Sequence, residues 1–396
     1  MIRREEVSHV QWIENLEDKL HGLDLAVRED LQFRFVRVRV PEGEEQFKVN
    51  YLQFYYKAMT AGALLRRDLD PERHGDLLFN SGFHFQAVPN SVLSVTAGAA
   101  PGVGFNFSPY HTRYRTKLGW NAAQVGFGKK VMVLDTGVDP AFQQNILSRK
   151  NFVDPASPGN VDDDHGHGTA VASIIGDLCP TADFIIYKVA DGNGRASEWD
   201  VLAALAADGP AEIVNISLAF GLQDTHCPRC GRESRSSRSA VFETLIHDLE
   251  EKDAGPLVVA AAGNKKDTSL AFPARFKDVV AIASINDAGD LSDFTNRSVT
   301  DHEGNPHQNV FVLPGGEKVA NNNPSEYVGD SAAGHQFWGT SFSAAYASGL
   351  IAGLWSRPEH AGKDRQDMLK HLRNKADAGH PTYVASTHGN GLMRFA

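Results

Sequence analysis

The sequence has few cysteines, three among 396 residues, and this number excludes a scaffold held by many disulfides. It also lacks a long hydrophobic run, because its longest apolar stretch, residues 256–263, is too short to span a bilayer. Positive charge is in deficit, with 39 Lys and Arg against 49 Asp and Glu and a net charge of −10. We therefore expect no membrane partner and no nucleic-acid partner, since nucleic-acid binding needs clustered positive charge.

The rest of the composition is typical of a globular protein. Hydrophobic residues make up 42% and charged residues 22%, which excludes a disordered, collagen-like or coiled-coil chain. Residues 1–9 contain two arginines with no apolar segment behind them, so we expect a cytoplasmic location. A change of texture near residue 110 predicts a small N-terminal α+β domain over 1–110 and a larger domain over 111–396.

The N-terminal region mixes strand and helix patterns. Apolar and polar residues alternate over 31–40 with a change of phase near Phe35 and Val36, which predicts strand structure with a bulge. Residues 50–69 have mixed helical spacing and predict a helix. Further strands are expected over 83–88 and 91–95, followed by a small-residue linker over 96–104.

Beyond residue 110, strand and helix patterns alternate, which predicts an α/β fold with a doubly wound, mainly parallel sheet and helices on both faces. Ligands of such sheets bind at the carboxyl ends of the strands. The expected strands cover 131–134, 184–189, 213–218, 257–262 and 279–284, and the expected helices cover 168–176, 197–207, 240–252, 340–355 and 363–375.

Three short motifs in this region carry chemically capable side chains. They are VLDTGVD at 133–139 with Asp135, DHGHGTAVA at 164–172 with His165 and His167, and GTSFSAA at 339–345 with Ser341. Each has a bland interpretation when taken alone, as a cap of the next segment, a polar loop, or a helix N-cap. A metal hydrolase using both histidines and the acidic run at 162–164 is an alternative, although the spacing does not match a zinc helix.

Taken together and in this order, the three motifs resemble those of the subtilisin-like serine proteases, the subtilases. Residues 258–264 (VVAAAGN) and 389–392 (GNGL) resemble two further family segments, and the resemblance spans about 115–396. It implies a subtilisin-like fold and a serine endopeptidase that works through an acyl-enzyme without a cofactor. Ser341 would be the nucleophile, His167 the general base and Asp135 its orienting partner, with activity rising as His167 loses its proton. Asn264 and the Ser341 backbone N–H would hold the oxyanion.

The resemblance also implies a substrate-binding segment that departs from the family pattern. Its residues are Ser217, Leu218, Ala219, Phe220, Gly221, Ala262 and Gly263. Ala219 and Phe220 replace two glycines, so we expect a restricted choice of residues before the cleaved bond. After Ser341 the family usually has Met-Ala and then Ser-Pro-His, whereas this chain has Phe342-Ser-Ala-Ala-Tyr346. The alternative function is therefore a catalytically inactive, protease-like binding or regulatory protein.

Residues 223–239 read as an insertion that contains Cys227, Cys230 and His226. We rank its interpretations as a flexible loop or knuckle, then a redox pair, then a zinc site, because a complete zinc site needs about four ligands. Subtilases often bind structural calcium, for which the acidic run at 162–164 is a weak candidate and no position is assigned.

The N-terminal domain has two interpretations. The resemblance implies an intramolecular chaperone and inhibitor whose tail occupies the active-site cleft, with the linker at 97–104 as the segment to be cut. The alternative is a permanent regulatory domain that binds a partner protein. Protein or peptide substrates are the expected partners in either case.

Overall fold

The protein is described here from a computed structural model. It describes residues 23–28, 33–39, 51–58, 76–78, 83–89, 92–95 and 104–396, except 127, 208–210, 221–224, 227–232, 235–239, 252–254, 319–323, 381 and 396. The expected linker up to residue 103 and most of the insertion at 223–239 therefore lie outside the described residues. The chain divides into two compact units, one from 1–92, 197–208 and 222–245, the other from 93–196, 209–221 and 246–396.

The N-terminal unit contains a five-stranded antiparallel sheet in the order β1-β2-β3-β5-β4. Its strands are β1 Leu23–Arg28, β2 Phe33–Arg39, β3 Tyr51–Ala58, β4 Asp76–Leu78 and β5 Phe83–Pro89. The helix expected over 50–69 is wrong for 51–58, because these aromatic residues pair as β3 between β2 and β5 and favour a strand. The bulge expected near Phe35 is also wrong, since β2 keeps one register with both of its neighbours.

The larger unit is built on a seven-stranded parallel sheet in the order β18-β17-β16-β12-β8-β10-β9. These strands are β8 Lys130–Asp135, β9 Asn145–Asn151, β10 Asp183–Lys188, β12 Ile213–Ile216, β16 Leu257–Ala261, β17 Val280–Ile285 and β18 Val310–Pro314. Continuous apolar runs form the central strands because both of their faces are buried. The mainly parallel α/β fold expected from the sequence is confirmed.

The winding of this sheet reverses at β8. The chain runs from β8 through β9 and β10 on one side, and then from β12 through β16, β17 and β18 on the other. The carboxyl end of β8 is therefore a topological switch point, the place where open α/β sheets form their ligand sites.

The helices are α1 Pro109–Lys117, α2 His167–Leu178, α3 Glu198–Ala206, α4 Ala240–Glu251, α5 Thr340–Trp355, α6 Arg365–Lys375 and α7 Ala385–His388. Helix α5 is buried along its whole length, which its small and apolar residues allow. Gly349 brings α5 close to α2, since a Cβ at this position would stand 2.8 Å from Leu178 Cβ. No helix in the described part of the chain is long and apolar enough to cross a membrane.

The remaining strands are β6 Val92–Val95, β7 Phe105–Phe107, β11 Arg195–Ser197, β13 Leu218–Phe220, β14 Thr225–His226, β15 Glu233–Ser234, β19 Glu317–Lys318, β20 Pro324–Glu326, β21 Gly329–Ser331 and β22 Gln336–Phe337. Strand β6 lies between β11 and β13 in a three-stranded sheet. It is antiparallel to β13, with Val95 opposite Leu218 and Leu93 opposite Phe220.

Candidate active site

Asp135 and His167 form a buried pair at the switch point. Asp135 is the last residue of β8 and is 1% exposed, and His167 opens α2 and is fully buried. The Nδ1 atom of His167 lies 2.7 Å from Asp135 Oδ1, which also accepts a hydrogen bond from the backbone N–H of Thr136. A carboxylate partner makes Nδ1 the donor, so Nε2 is the ring nitrogen left for other chemistry. Within the described residues, Nε2 has no hydrogen-bond partner.

Ser341 is the second residue of α5 and is fully buried. Its Oγ donates to the carbonyl oxygen of Ser217 at 3.0 Å, and Ser217 Oγ donates to the Ser341 carbonyl at 2.9 Å. The N-cap position of α5 belongs to Gly339, which makes no side-chain cap bond. The bland interpretation of Thr340 or Ser341 as the N-cap is therefore wrong, because both residues lie inside the first turn.

Asn264 is hydrogen-bonded to the first residue of the same helix. Its Oδ1 accepts from the Thr340 backbone N–H at 2.9 Å and from Thr340 Oγ1 at 2.8 Å. The backbone N–H of Gly263 donates to the same hydroxyl at 3.1 Å. Sequence reasoning missed this role of Thr340; its place next to Ser341 was visible, but its partner lies 76 positions away.

Two other rings, those of Phe342 and His165, lie next to His167. The ring of Phe342 lies 5.2 Å from that of His167, so the residue after Ser341 joins the starts of α5 and α2. His165 is 2% exposed, with its ring 6.1 Å from that of His167. Burial, and then the electrostatic interaction with His167, lower the pKa of His165, so this imidazole is neutral at neutral pH. His165 is thus a neighbour of the site and makes no contact with Asp135 comparable to that of His167.

The residues expected to bind substrate lie beside Ser341 where the structure describes them. Ser217 contacts it directly, and Leu218 and Ala219 are buried in β13. Ala262 and Gly263 follow the carboxyl end of β16, and Gly263 has a φ of 106° that favours glycine. Phe220 ends β13, its side chain is not described, and Gly221 lies outside the described residues.

Among the described residues, the metal-ligand candidates from the sequence do not form a cluster. Cys227 and Cys230 lie outside them, and His226 is placed only as backbone in β14. In the acidic run at 162–164, Asp164 pairs with Lys188 at 2.8 Å. The part of the chain that the structure describes contains no group of three or more His, Cys, Asp and Glu able to hold a metal ion.

The site contains a carboxylate, an imidazole and a serine hydroxyl. The carboxylate ends β8, the imidazole opens α2, and the serine is the second residue of α5, next to the threonine that hydrogen-bonds Asn264. Residues 126–391 match the subtilase family over about two thirds of the chain. The chain therefore belongs to the subtilase family, which confirms that it is a subtilisin-like serine endopeptidase.

Curated relatives agree with this membership. The chain is 28% identical over 297 residues to the major intracellular serine protease of Bacillus subtilis (strain 168), covering 69% of this chain and 83% of that protein. It is 26% identical to subtilisin BL of Lederbergia lenta over 71% of this chain and 94% of that protein. A thermophilic serine proteinase of Bacillus sp. (strain AK1) is 26% identical, with 71% of this chain and 64% of that protein covered.

Proposed function

We propose that the protein hydrolyses peptide bonds through Asp135, His167 and Ser341 by way of an acyl-enzyme. The observation that carries this proposal is the buried 2.7 Å contact between His167 Nδ1 and Asp135 Oδ1 at the switch point of the sheet. It holds the imidazole in the tautomer whose Nε2 can accept a proton. The proposal is also supported by Phe342, the residue after Ser341, whose ring lies 5.2 Å from that of His167 at an interplanar angle of 48°.

The reaction begins with a rotation of the Ser341 hydroxyl. The Oγ–H donates to the Ser217 carbonyl in this structure, and rotation about the Cα–Cβ bond redirects it to His167 Nε2. Oγ then bonds to the substrate carbonyl carbon while Nε2 takes the proton. When the carbon–nitrogen bond breaks, His167 returns this proton to the leaving amine, and water repeats the sequence on the acyl-enzyme.

The developing oxyanion is held by two donors at the start of α5. Because Thr340 donates twice to Asn264 Oδ1, the Nδ2 end of this amide is the one that can donate to an oxyanion. The second donor is the Ser341 backbone N–H, which lies in the first turn of α5, at the end of the helix whose dipole favours negative charge. All groups that this chemistry uses are side chains and amides of the chain, so we propose that the reaction requires no cofactor. Structural calcium remains an expectation without an assigned position.

The substrate is proposed to bind as an added strand on β13. Strand β6 already binds in this way, with Leu93 buried and Ser94 exposed, as in a strand with one face against the protein. In this antiparallel register Val95 lies opposite Leu218, the residue after Ser217, whose carbonyl accepts from Ser341 Oγ. This arrangement supports inhibition in cis, in which the chain ahead of the catalytic unit occupies its own substrate site.

The main experiment is covalent labelling by a fluorophosphonate together with peptide hydrolysis. We expect labelling and hydrolysis in the wild type, neither in Ser341→Ala, and both in Ser343→Ala, which removes a neighbouring buried hydroxyl on the same helix. Labelling that persists in Ser341→Ala, or an unlabelled wild type, would contradict the proposal.

Intact-mass measurement tests inhibition in cis. If β6 is a self-processed tail, the purified wild type acquires a new N-terminus within residues 96–103 and Ser341→Ala remains full length. Adding a trace of wild type to Ser341→Ala reveals whether the cut also occurs between molecules. An intact chain in both proteins favours a permanent regulatory domain, with a partner protein supplying control.

Two finer properties are also proposals. Ala219 and Phe220 narrow the acceptable residues before the cleaved bond, so Ala219→Gly should accept a wider set of peptides from a library than the wild type. A cytoplasmic location is supported by the 28% identical relative, whose name places that protein inside the cell. Cell fractionation tests this location directly.

A further inference from the structure

Asp163 lies in the loop before α2, next to the end of β8, and hydrogen-bond donors surround its carboxylate. Its Oδ1 accepts from Thr136 Oγ1 at 2.8 Å and from the backbone N–H groups of His165 and Gly166 at 3.0 and 2.8 Å. Its Oδ2 accepts from the Thr169 backbone N–H at 2.8 Å and from Thr169 Oγ1 at 2.6 Å. The carboxylate therefore accepts five hydrogen bonds, which is an unusually complete set for one side chain.

The two threonines extend this network to both sides of the site. Thr136 follows Asp135 directly, and its Oγ1 also accepts from the backbone N–H of Gly168 at 2.9 Å. Thr169 lies two residues after His167, and its Oγ1 also accepts from the backbone N–H of Asp139 at 2.9 Å. Asp163 and the two hydroxyls thus tie the end of β8 to the start of α2 at several points.

Helix α2 depends on these contacts at its first turn. Its N-cap is Gly166, with a φ of 86° and no side chain to accept hydrogen bonds. The first amides of a helix have no acceptor within it, and here Asp163 and Thr136 accept the N–H groups of residues 166, 168 and 169. A negative charge at this end is also favoured by the helix dipole.

Asp163 carries this charge at neutral pH. Burial acts to raise the pKa of the carboxyl, but the hydrogen bonds from Thr169, Thr136 and Gly166 outweigh burial and lower the pKa below its ordinary value. The neighbours Asp162 and Asp164 are exposed, so Asp163 is the inward-facing member of the acidic run at 162–164.

We propose that Asp163 is a positioning residue for peptide hydrolysis, which holds the Asp135 loop and the His167 helix in mutual register. It acts on backbone and hydroxyl groups beside the pair and does not touch the reacting atoms. The proposal rests on the proposed triad. Displacement of a reacting group by about 1 Å can lower the rate about 100-fold, so a small shift of the imidazole has a large effect.

The test compares Asp163→Asn with Asp162→Asn, which removes one charge from the adjacent exposed residue. In Asp163→Asn the amide NH₂ must face at least one hydrogen-bond donor, because both carboxylate oxygens accept hydrogen bonds. This repulsion moves the end of β8 and the start of α2 apart. We expect kcat to fall at least about tenfold and KM for a peptide to stay within about twofold, since β13 is outside the network. Asp162→Asn is expected to keep the wild-type values.

Two substitutions at Thr136 provide a second, isosteric test. Thr136→Val keeps the volume and removes the hydroxyl that joins Asp163 to Gly168, whereas Thr136→Ser keeps this hydroxyl. We expect a lower kcat in Thr136→Val and near wild-type kcat in Thr136→Ser, which a purely volumetric role would not produce. This pair decides the question even if Asp163→Asn does not fold.

A positioning role is overturned if Asp163→Asn and Thr136→Val lose only melting temperature and keep kcat per folded molecule. It is also overturned if the loss appears in KM alone. Failure of the triad itself looks different, because Ser341→Ala would then still hydrolyse peptides. An inactive Ser341→Ala beside a fully active Asp163→Asn would overturn this inference and leave the triad intact.

Discussion

The two helices that carry His167 and Ser341 begin in similar ways and end up with different tasks. Each has a glycine N-cap with positive φ, 86° at Gly166 and 138° at Gly339, and neither glycine offers a side-chain cap. Asp163 and Thr136 accept the N–H groups of residues 166, 168 and 169 at the start of α2, and we call a helix start with such side-chain acceptors closed.

At the start of α5 the side-chain acceptor described above is an amide oxygen. Asn264 Oδ1 takes the N–H and the hydroxyl of Thr340, and this contact orients the other end of the same amide. A closed helix start suits the proposed base, which must stay in place, whereas the start of α5 suits the proposed site for a transient negative charge. A helix start with a glycine N-cap can therefore position a side chain or bind a negative charge, and the side chains that contact its N–H groups decide which.

The largest effect on this comparison is expected from Asn264→Ala. Loss of one oxyanion donor lowers kcat by about 100- to 1,000-fold, while KM changes little because the amide acts in the transition state. Steady-state peptide hydrolysis measures both values, with Asn193→Ala in an exposed turn as the control. A loss confined to KM would show that Asn264 binds substrate and does not hold the oxyanion.

A smaller effect is expected at Thr340. Thr340→Val removes the hydroxyl that donates to Asn264 Oδ1, and one lost hydrogen bond corresponds to a decrease in kcat of about 3- to 10-fold. Thr340→Ser keeps the hydroxyl and should retain most of the activity. Equal activity in both variants would mean that the backbone N–H of residue 340 alone orients the asparagine.

The smallest effect concerns stability in acid. The pKa of Asp163 is lowered in the folded protein, so its contribution is complete above the ordinary value of about 3.9 and is lost as the pH falls through the folded value. Calorimetry should therefore show a melting-temperature advantage of wild type over Asp163→Asn that narrows below about pH 4. A melting-temperature advantage that stays constant from pH 7 to pH 3 would contradict the role of the ionised Asp163 carboxylate at the start of α2. So would an advantage that Asp162→Asn also removes.

Sequence patterns predicted the parallel sheet well because its central strands are short, uniformly apolar runs. A run such as residues 131–134 is apolar at every position, and its short length favours a strand buried on both faces over a helix. Residues 51–58 mix aromatic and polar side chains without a clear period, and their pairing with β2 and β5 decided the outcome. The strand expected over 131–134 ends one residue before Asp135 and the helix expected from 340 begins next to Ser341, whereas the helix expected from 168 begins one residue earlier, at His167.

The supporting residues could not be predicted in the same way. Asp163 is 27 positions from Thr136, and Thr340 is 76 positions from Asn264, so neither contact has a local signature. The acidic run at 162–164 suggested a cation site. Its middle carboxylate, that of Asp163, instead accepts hydrogen bonds from donors of the chain itself. Only the fold brings these partners together.

The most direct test of the account is a crystal structure of the wild type after reaction with a peptide fluorophosphonate. We expect phosphorus bonded to Ser341 Oγ, with one phosphonyl oxygen about 2.7–3.1 Å from both Asn264 Nδ2 and the Ser341 backbone N–H. His167 should keep its contact with Asp135, with the hydrogen bonds of Asp163 unchanged. A phosphonyl oxygen turned away from both donors, or phosphorus on another residue, would contradict the account.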